Sequence, residues 1–303
     1  MNNKGSILIY VLMTISFVVA IALLINEDAT RHYELTNKVY THNQAYIYAN
    51  TAMNIIKGLL VEDDDAFDSM NDEWYNIPDL LVDRGTVSIK VNPLNARVNI
   101  NVLTKNDEEF TSRIYNMLKT ILLEYNITSI TPGMFIDWID EDIEPFEEGR
   151  EDYLYINNGR KYSTKNNNLD TLLELIYLND YDTYENLKYH FTVDGDKKIN
   201  VNFCNELTLI SYVPEFEDYT DDIIDYRKNK EYKDISLIRE ATLINDDDYI
   251  KAIDFMTVAS SFFYAAITVT LGGEQFVFHS LINREGDDIK VIKFLEGYNE
   301  AYF

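Results

Sequence analysis

Acidic side chains crowd one short stretch of this chain. Between Asp137 and Asp152, nine carboxylates stand within sixteen residues, against a single base, Arg150. Charges at that density repel one another unless water or a bound cation screens them. Calcium takes six to eight oxygen ligands from carboxylates and carbonyls, which a loop bounded by Pro and Gly can offer. The composition therefore indicates either a solvated acidic loop or a calcium site, and the residue types alone leave both open.

The spacing within this stretch does not match a known calcium loop. The run Asp140-x-Asp142-x-Glu144 lacks the glycine and the distal glutamate of an EF-hand. Two other acidic runs, residues 62–65 and 246–248, have no turn residues around them, so they are predicted to be solvated faces.

Catalytic motifs are missing from the sequence. The four histidines are scattered, and there is no GxSxG, HExxH or phosphate-binding loop. Cys204, the only cysteine, lies in an apolar segment and is predicted to be a packed thiol. Asp137 and Asp140 could serve a hydrolase, but no bases or aromatic residues are arranged to bind a substrate. We predict that the protein is not an enzyme.

One segment is similar to the helix-hairpin-helix frame of nucleic-acid-binding proteins. It runs from Lys198-Ile-Asn-Val-Asn202 to Arg227. Its central turn, residues 212–222, has no glycine and carries five acids, so it is unsuited to a phosphate. The net charge of −26, from 52 acids and 26 bases, also repels nucleic acid. A structural use of this frame, with no nucleic acid bound, is the better interpretation.

The composition otherwise describes a folded protein. The chain is 46% hydrophobic, with 23 Tyr and 15 Phe among 303 residues, which is enough to bury a sizeable core. A single cysteine excludes an intramolecular disulfide, so an exported head would need another staple, such as a metal ion.

The amino-terminal segment has the length and composition of a membrane span. Residues 6–25 are uncharged and mostly apolar, and about 20 such residues cross a bilayer as a helix. A short polar leader ends at Lys4-Gly5, just before this run, and no Gly or Pro follows for another thirty residues. This arrangement resembles the leader of type IV pilins and pseudopilins, in which a prepilin peptidase cuts after the glycine. The resemblance implies processing between Gly5 and Ser6.

The helix is predicted to continue well past the membrane. Apolar residues recur at steps of three and four beyond the span, which marks one buried face of a helix reaching about residue 60. These residues are Leu35, Val39, His42, Tyr46, Ala49, Met53, Ile56 and Leu60.

The remaining pattern predicts an α+β head. Residues 85–91 alternate as a half-buried strand, and residues 93–103 are predicted to form its hairpin partner. Helical spacing then runs from residue 107 to 125, and shorter helices are predicted at 134–139, 169–177 and 183–189. Residues 259–283 are predicted to be a β-hairpin around Gly272-Gly273, followed by a last strand at 289–295. The predicted architecture is a long helix packed on an antiparallel sheet, with a large helical insertion.

An ordered set of motifs adds a family resemblance that covers essentially the whole chain. It comprises the leader, Asp137-Trp-Ile-Asp-Glu-Asp-Ile-Glu-Pro145, Gly149-Arg-Glu-Asp-Tyr-Leu-Tyr155, Lys198-Ile-Asn-Val-Asn202 and Ser260-Ser-Phe-Phe263. In this order the motifs resemble the minor pseudopilin K family of type II secretion systems. That family has a pilin-like fold with a helical insertion and caps a short pseudopilus together with minor pseudopilins I and J.

The resemblance implies a domain organisation and a location. The expected parts are a leader at 1–5, a transmembrane segment at 6–25, pilin-like elements at 26–103, a SAM-like helical insertion with the acidic loop at 104–197, and a second helical unit with the last strands at 198–303. The protein is expected to be a single-pass protein of the inner membrane, with its head in the periplasm and Ser6 methylated after cleavage.

The resemblance also decides between the two interpretations of the acidic stretch. Calcium is known in this domain of the family, so a calcium site is favoured here. The expected ligands are Asp137, Asp140, Asp142, Glu148, Glu151 and Asp152.

Tyr10 stands where most pilins and major pseudopilins have a glutamate. In filaments that glutamate is thought to meet the amino terminus of the subunit above, and a buried carboxylate without a partner is costly in a bilayer. A tip subunit has no neighbour above it, so Tyr10 fits the tip position. Tyr10, Leu35, Val39 and Tyr46 are the expected assembly residues.

Two alternatives come from other classes of protein. A minor pilin, adhesin or competence pseudopilin of a type IV pilus would share the leader but bind a surface or DNA. A membrane-anchored hydrolase would lose activity in Asp137→Asn while keeping its fold.

Overall fold

The computed structural model describes residues 3–104, 107–152, 162–178 and 181–297. The predicted motif at residues 149–155 therefore lies partly outside the described residues. The α-helices are α1 (Asn3–Glu62), α2 (Glu108–Glu124), α3 (Pro132–Ile139), α4 (Tyr181–Leu187), α5 (Glu206–Tyr212), α6 (Thr220–Asn229), α7 (Leu237–Thr242) and α8 (Asp246–Ala252). Short 3-10 helices are Leu94–Ala96, Ile100–Thr104, Leu172–Tyr177, Pro214–Tyr219 and Ile253–Phe255.

One antiparallel sheet forms the base of the head. Its strand order is β1-β2-β7-β8-β9, and two small parallel pairs, β3 with β4 and β5 with β6, lie outside it. The strands are β1 (Leu80–Val82), β2 (Gly85–Pro93), β3 (Val98–Asn99), β4 (Phe191–Thr192), β5 (Ile199–Asn200), β6 (Met256–Thr257), β7 (Phe262–Leu271), β8 (Glu274–Glu285) and β9 (Asp288–Glu296). The mixed α+β architecture predicted from the sequence is confirmed.

Helix α1 continues unbroken from the predicted membrane span into the head, as the apolar spacing predicts. Its carboxyl-terminal half packs on the sheet through Ala49, Met53, Ile56 and Leu60, all buried. Ala45 and Ala52 complete the contact, because their small side chains let the helix approach the strands closely. The prediction of a buried face is wrong nearer the amino terminus of α1, where Leu35, Val39 and His42 are exposed.

The predicted carboxyl-terminal hairpin is confirmed. Strands β7 and β8 pair from Phe262 with Asn283 to Leu271 with Glu274. Gly272 and Gly273 form the turn with φ of 58° and 89°, a left-handed region that glycine enters without steric cost. Strand β2 pairs with β7 over its whole length, so the sheet joins chain segments separated by the helical insertion.

The segment after β2 differs from its prediction. Residues 93–103 were expected to pair with β2, but β2 lies between β1 and β7, and the segment forms 3-10 turns around the two-residue strand β3. The cause lies in its asparagines. The Asn95 amide bonds to the Ala259 carbonyl at 2.9 Å, and the Asn99 amide bonds to the Gly195 carbonyl at 2.9 Å. Side-chain hydrogen bonds to distant backbone replace a strand ladder.

The same asparagine turn occurs twice in the helical insertion. The Asn101 N–H donates to Asn99 Oδ1 at 3.0 Å, and the Asn202 N–H donates to Asn200 Oδ1 at 2.9 Å. Each second asparagine also exchanges two hydrogen bonds with one backbone position, Asn101 with Leu169 and Asn202 with Tyr232. The insertion therefore contains two units built on the same turn.

The first unit runs from β3 to β4 and includes α2, α3 and α4. The second runs from β5 to β6 and includes α5 to α8. Helices α2 and α3 match their predicted positions, whereas the helix expected at 169–177 is a 3-10 helix at Leu172–Tyr177. Both units share one hydrophobic core, which is separate from the core between α1 and the sheet.

Arg227 of the second unit has a structural role. The Arg227 guanidinium donates to the Val201 and Cys204 carbonyls at 2.8 and 2.7 Å, which closes the turn that resembles a nucleic-acid-binding hairpin. Cys204 is fully buried, as predicted.

A buried ion pair joins the end of α1 to the sheet. Arg284 on β8 donates to both carboxylate oxygens of Asp68, at 2.7 and 2.6 Å, and to the Ser260 carbonyl at 2.9 Å. It also contacts Asp63, which accepts from the Trp74 indole at 2.9 Å. The prediction that residues 62–65 are all solvated is therefore wrong for Asp63. The run 246–248 lies in the first turn of α8, with Asp246 and Asp247 exposed.

We predict that Arg284→Met lowers the free energy of unfolding by about 3–5 kcal/mol, because it leaves the buried Asp68 carboxylate unpaired. Adding Asp68→Asn should recover more than ~1 kcal/mol of that loss. Urea unfolding of the full chain in detergent micelles measures both. The matched control is the exposed pair Lys228–Asp225, whose corresponding Met and Asn variants should change stability by less than about 1 kcal/mol. Equal losses in the two pairs would contradict the prediction.

A buried histidine links the first helical unit to the second through hydrogen bonds. His190 lies between the Tyr125 hydroxyl and the Thr208 hydroxyl, each 2.9 Å from a ring nitrogen. Burial lowers the pKa of His190 to about 4, so the ring is neutral near pH 7.

Acid should destabilise the protein through this histidine. Between pH 6.5 and pH 4 the unfolded chain binds a proton at His190 that the folded chain does not, so stability falls as the pH falls. At pH 5 the loss is roughly 2 kcal/mol. His190→Gln should reduce the difference in unfolding free energy between pH 7 and pH 5, whereas His32→Gln, at an exposed site on α1, should leave it unchanged. The same pH dependence in both variants would rule out His190 as its source.

Candidate metal centre

Helix α3 holds the first of the acidic residues at its buried face. Thr131 precedes the helix, Pro132 occupies its first turn, and every residue of α3 is buried. The acidic loop returns so closely over the helix that a Cβ on Gly133 would lie 2.2 Å from the Glu147 carbonyl oxygen. Glycine is therefore required where the loop crosses the helix.

Asp137, on α3, anchors the acidic loop. Its side chain is completely buried, and its Oδ1 accepts a hydrogen bond from the Phe146 N–H at 2.8 Å. The backbone of Arg150 also donates to it. A Cβ on Gly149 would lie 2.0 Å from Asp137 Oδ2, so a second glycine is needed where the backbone passes this carboxylate. Oδ2 itself is buried without a hydrogen-bond partner.

Three carboxylates converge beside Asp137. One oxygen from each of Asp140, Asp142 and Glu151 lies within 4.8 Å of the others. Asp140 Oδ1 and Glu151 Oε1 are buried without a hydrogen-bond partner, and the Glu151 side chain is only 1% exposed. Residues that are eleven positions apart in sequence thus present unused acceptor atoms to one small volume.

The electrostatics of this cluster favour a bound cation. Burial, followed by the neighbouring Asp142 and Asp137 carboxylates, raises the pKa of Asp140 to about 7. Burial and Asp137 also raise the pKa of Glu151, and burial raises that of Asp137. Among the described residues, no basic side chain contributes to these three pKa values. A cation would supply the missing compensation.

The other predicted ligands take different places. Asp152 Oδ1 accepts from the backbone N–H and the hydroxyl of Thr164, at 2.7 and 2.5 Å, and so holds the returning chain. Glu148 is exposed, has a positive φ of 59°, and offers its backbone carbonyl to the Thr131 hydroxyl. The structure brings together Asp140, Asp142 and Glu151, with Asp137 beside them, and it places Asp152 and Glu148 in the surrounding loop.

Two residues that sequence reasoning missed complete the frame. Thr164 contacts Asp152 and approaches Glu151 Oε2 at 3.4 Å, and the Asn166 amide reaches the Asp142 carbonyl at 3.3 Å. Their link to the cluster is tertiary, so the sequence carries no signal for it. Trp138, between the acids, stacks on Tyr177 with ring centroids 6.1 Å apart.

The donor set fits calcium. Carboxylate oxygens within 4.8 Å of one another match a hard ion with oxygens at about 2.3–2.6 Å, since ligands on opposite sides then lie about 5 Å apart. Another acidic trio, Asp63, Asp68 and Asp72, has similar spacing but does not fit a metal ion. Arg284 already pairs with Asp68 and Asp63, so that trio has its cation.

The residues predicted for processing and assembly lie on α1. Gly5 and Ser6 fall within its bounds, and Tyr10 is exposed on the apolar part. One helix of the described residues, Ile7–Glu62, is long and apolar enough to cross a membrane, and its most apolar window has a mean hydropathy of 2.8 with none of it buried. It is a candidate membrane anchor.

On α1, side chains between the apolar segment and the part packed on the sheet are also exposed. Leu35 is 52% exposed and Val39 is 62% exposed. Tyr46 marks the transition, because its ring contacts Phe278 and Phe294 of the sheet while half of it remains exposed.

Comparisons with known proteins agree on one family. Residues 96–193 match the family described as type II secretion system (T2SS), protein K. The type II secretion system protein K of Klebsiella pneumoniae is 23% identical over 326 aligned positions, covering 96% of both chains. The corresponding protein of Pectobacterium carotovorum subsp. carotovorum is also 23% identical, again covering 96% of both chains.

The fold agrees as well. A chain in the crystal structure of the GspK-GspI-GspJ complex from the enterotoxigenic Escherichia coli type 2 secretion system superposes with a TM-score of 0.73 at 17% identity. The match covers 87% of this chain and 99% of that one. The residues that match this family contain the acidic loop, and the two relatives align over nearly the whole chain, so the chain is similar throughout to type II secretion system protein K.

Proposed function

We propose that this minor pseudopilin of the type II secretion system lies at the tip of the pseudopilus, where it assembles with minor pseudopilins I and J. The observation that carries the proposal is the division of α1. From Ala45 to Leu60 one face of the helix is buried against the head, whereas residues 7–25 are apolar, exposed and long enough to span a membrane. Such a helix needs lipid before assembly and neighbouring helices afterwards.

The tip position is supported by two further features. Tyr10 occupies the position at which a glutamate would reach the subunit above, and the helical insertion adds two units to one end of the pilin-like sheet. Bulk in the head would prevent another subunit from stacking above it. Before assembly, a prepilin peptidase would cleave after Gly5, Ser6 would be methylated, and the head would lie in the periplasm.

Assembly should depend on the exposed stripe of α1. Leu35→Glu with Val39→Glu should lower recovery of a complex with pseudopilins I and J at least about tenfold, since burying each side chain contributes roughly 1.5–3 kcal/mol. Co-expression of the three full-length proteins, followed by affinity purification of this chain in detergent, measures the yield. Leu81→Glu is the matched control, because Leu81 is 87% exposed but lies on the edge strand β1. An equal yield from all variants would contradict a role for this stripe.

The acidic centre is proposed to bind calcium and stiffen the loop. Asp137, Asp140, Asp142 and Glu151 would hold the ion, with Glu148 and Asp152 in the surrounding loop. The ion would neutralise the carboxylates and fix the long connection between α3 and the Leu172–Tyr177 helix. The support is the set of buried acceptor atoms without hydrogen-bond partners. Calcium binding would stabilise the folded protein by about 2.7 kcal/mol at 100 times its dissociation constant.

Terbium luminescence can test this site, because Trp138 lies between two of the proposed ligands. We expect excitation of tryptophan to sensitise bound terbium, and calcium to displace it. Asp140→Asn should abolish the signal and the calcium-dependent rise in thermal stability. It should not destabilise the calcium-free protein, since it removes one of several crowded carboxylates. The exposed Asp247→Asn is the control. Calcium-independent stability, or an Asp140→Asn protein that responds normally, would exclude the site.

These two proposals can fail separately. Loss of calcium binding would leave the helix-driven assembly in place, and loss of assembly would leave terbium binding intact. A type IV pilus adhesin gains no specific support from the described structure, and the similarity to protein K disfavours it.

A further inference from the structure

A cleft opens at the end of the sheet from which the helical insertion extends. It lies between the loop after α1, the segment before β5, the start of β7 and the turn that joins β8 to β9, and its volume is about 480 Å³. We call it the carboxylate cleft, because Asp65, Asp196 and Glu285 line it. Four separate parts of the chain meet there, so it is a product of the tertiary fold.

The register of the sheet places an aromatic ring beside an amide in the carboxylate cleft. Phe262 of β7 pairs directly with Asn283 of β8, so their side chains lie next to each other on one face of the sheet. Glu285 lies on the same face, because it follows Asn283 by two residues in the strand. Asp196 comes from outside the sheet, and its Oδ2 accepts a hydrogen bond from the Ser261 N–H at 3.2 Å. An aromatic surface, an amide and carboxylates thus share one opening.

One acceptor in the carboxylate cleft is buried without a partner. Asn283 is only 8% exposed, and its Oδ1 has no hydrogen-bond partner. In the unfolded chain water donates to this oxygen, so its burial without a donor opposes folding. A ligand that brings an N–H group into the cleft would restore the lost hydrogen bond. The side chain therefore marks a place for a donor.

The acids of the carboxylate cleft are in excess over its bases. Arg284 is the one base among the described lining residues, and two carboxylates outside the cleft already bind it. Glu285 also has a partner, Lys290, at 3.0 Å. The remaining two acids, Asp65 and Asp196, form no ion pair with any described residue. Their charges are therefore left uncompensated by the protein itself.

A single metal ion does not explain this arrangement. Among the described residues, the groups of three carboxylates with oxygens within 4.8 Å of one another do not include Asp65, Asp196 and Glu285. Acids spread along a cleft suit an extended cation with donors on several sides. The arginine guanidinium has five N–H donors in one plane and stacks on aromatic rings, whereas the lysine ammonium is a compact point charge. Phe262 supplies a ring for such stacking.

We infer that the carboxylate cleft binds an arginine side chain of a partner polypeptide. The guanidinium stacks on Phe262, pairs with Asp196 and Asp65, and donates to Asn283 Oδ1. Charge complementarity selects this occupant, because a basic side chain is attracted to the cleft and also to a chain with a net charge of −26. The inference goes beyond the proposed function and does not rest on it. The cleft shares no described residue with the exposed stripe of α1 or with the candidate metal centre.

Fluorescence polarisation with the full chain in detergent micelles tests the inference. The probe is a labelled, end-blocked Gly-Ser-Arg-Ser-Gly peptide, and the comparison peptides carry lysine or uncharged citrulline in place of arginine. We expect the arginine probe to bind most tightly, the lysine peptide to bind more weakly, and the citrulline peptide to show no binding. Asp196→Asn should weaken binding of the probe about tenfold, through loss of a charge-assisted hydrogen bond.

Two further variants and a control separate binding from folding. Asn283→Leu removes the acceptor that lacks a partner, so it should weaken probe binding while leaving the thermal stability unchanged or raised. Asp65→Asn, at an exposed position, should weaken binding without affecting the fold. Asp247→Asn removes one exposed acid from α8 and should leave probe binding unchanged. Circular dichroism of each variant separates loss of binding from loss of fold.

Three results would overturn the inference. The first is the absence of probe binding, or equal binding of the arginine and lysine peptides. The second is probe binding that both Asp196→Asn and Asp65→Asn leave unchanged. The third is displacement of the probe by calcium in an Asp140→Asn protein, in which the candidate metal centre is disabled, because the cleft would then be a metal site.

Discussion

The buried contact between Arg284 and Asp68 closes the head. Strands β2 and β7 are neighbours in the sheet, but the chain between them makes both helical units. The two ends of that long excursion must be brought back to a fixed position. Arg284 fixes the later end by holding the Ser260 carbonyl, just before β7, together with Asp68 in the loop after α1.

This contact is part of a wider polar network. The Ser260 hydroxyl donates to Asn95 at 2.8 Å and accepts from the Asn200 amide at 2.9 Å, while its N–H donates to Asp68 at 2.6 Å. This one serine thereby connects the loop after α1, the segment after β2 and the second helical unit. Buried polar groups with all partners satisfied specify a single arrangement, and a missing partner is costly in this low-dielectric setting. The network fixes how the helical insertion sits on the sheet.

Local patterns in the sequence predicted the elements that depend on local chemistry. The apolar spacing of α1, the double glycine at 272–273 and the helical period after residue 107 all have the predicted structure. The errors occur where tertiary contacts dominate. Residues 93–103 alternate like a strand, but Asn95, Asn99 and Asn101 bond to distant backbone. Asp63 belongs to an acidic run that was predicted to be solvated, yet it accepts hydrogen bonds from Trp74 and Arg284.

The candidate metal centre shows the same division. Its residue types and position were evident from the acidic run, and three of the six expected ligands converge, with Asp137 beside them. Their number and roles could not be read from spacing, because Thr164 engages Asp152 and the loop turns Glu148 outward. The requirement for glycine at 133 and 149 follows from the approach of the loop to α3, a distance that only the folded structure shows. The converging carboxylates also depend on α3, whose buried apolar face is held by the core that the two units share. A bound ion would therefore act on a scaffold that already exists, so its energetic effect should be confined to the loop while the helical core keeps its own stability.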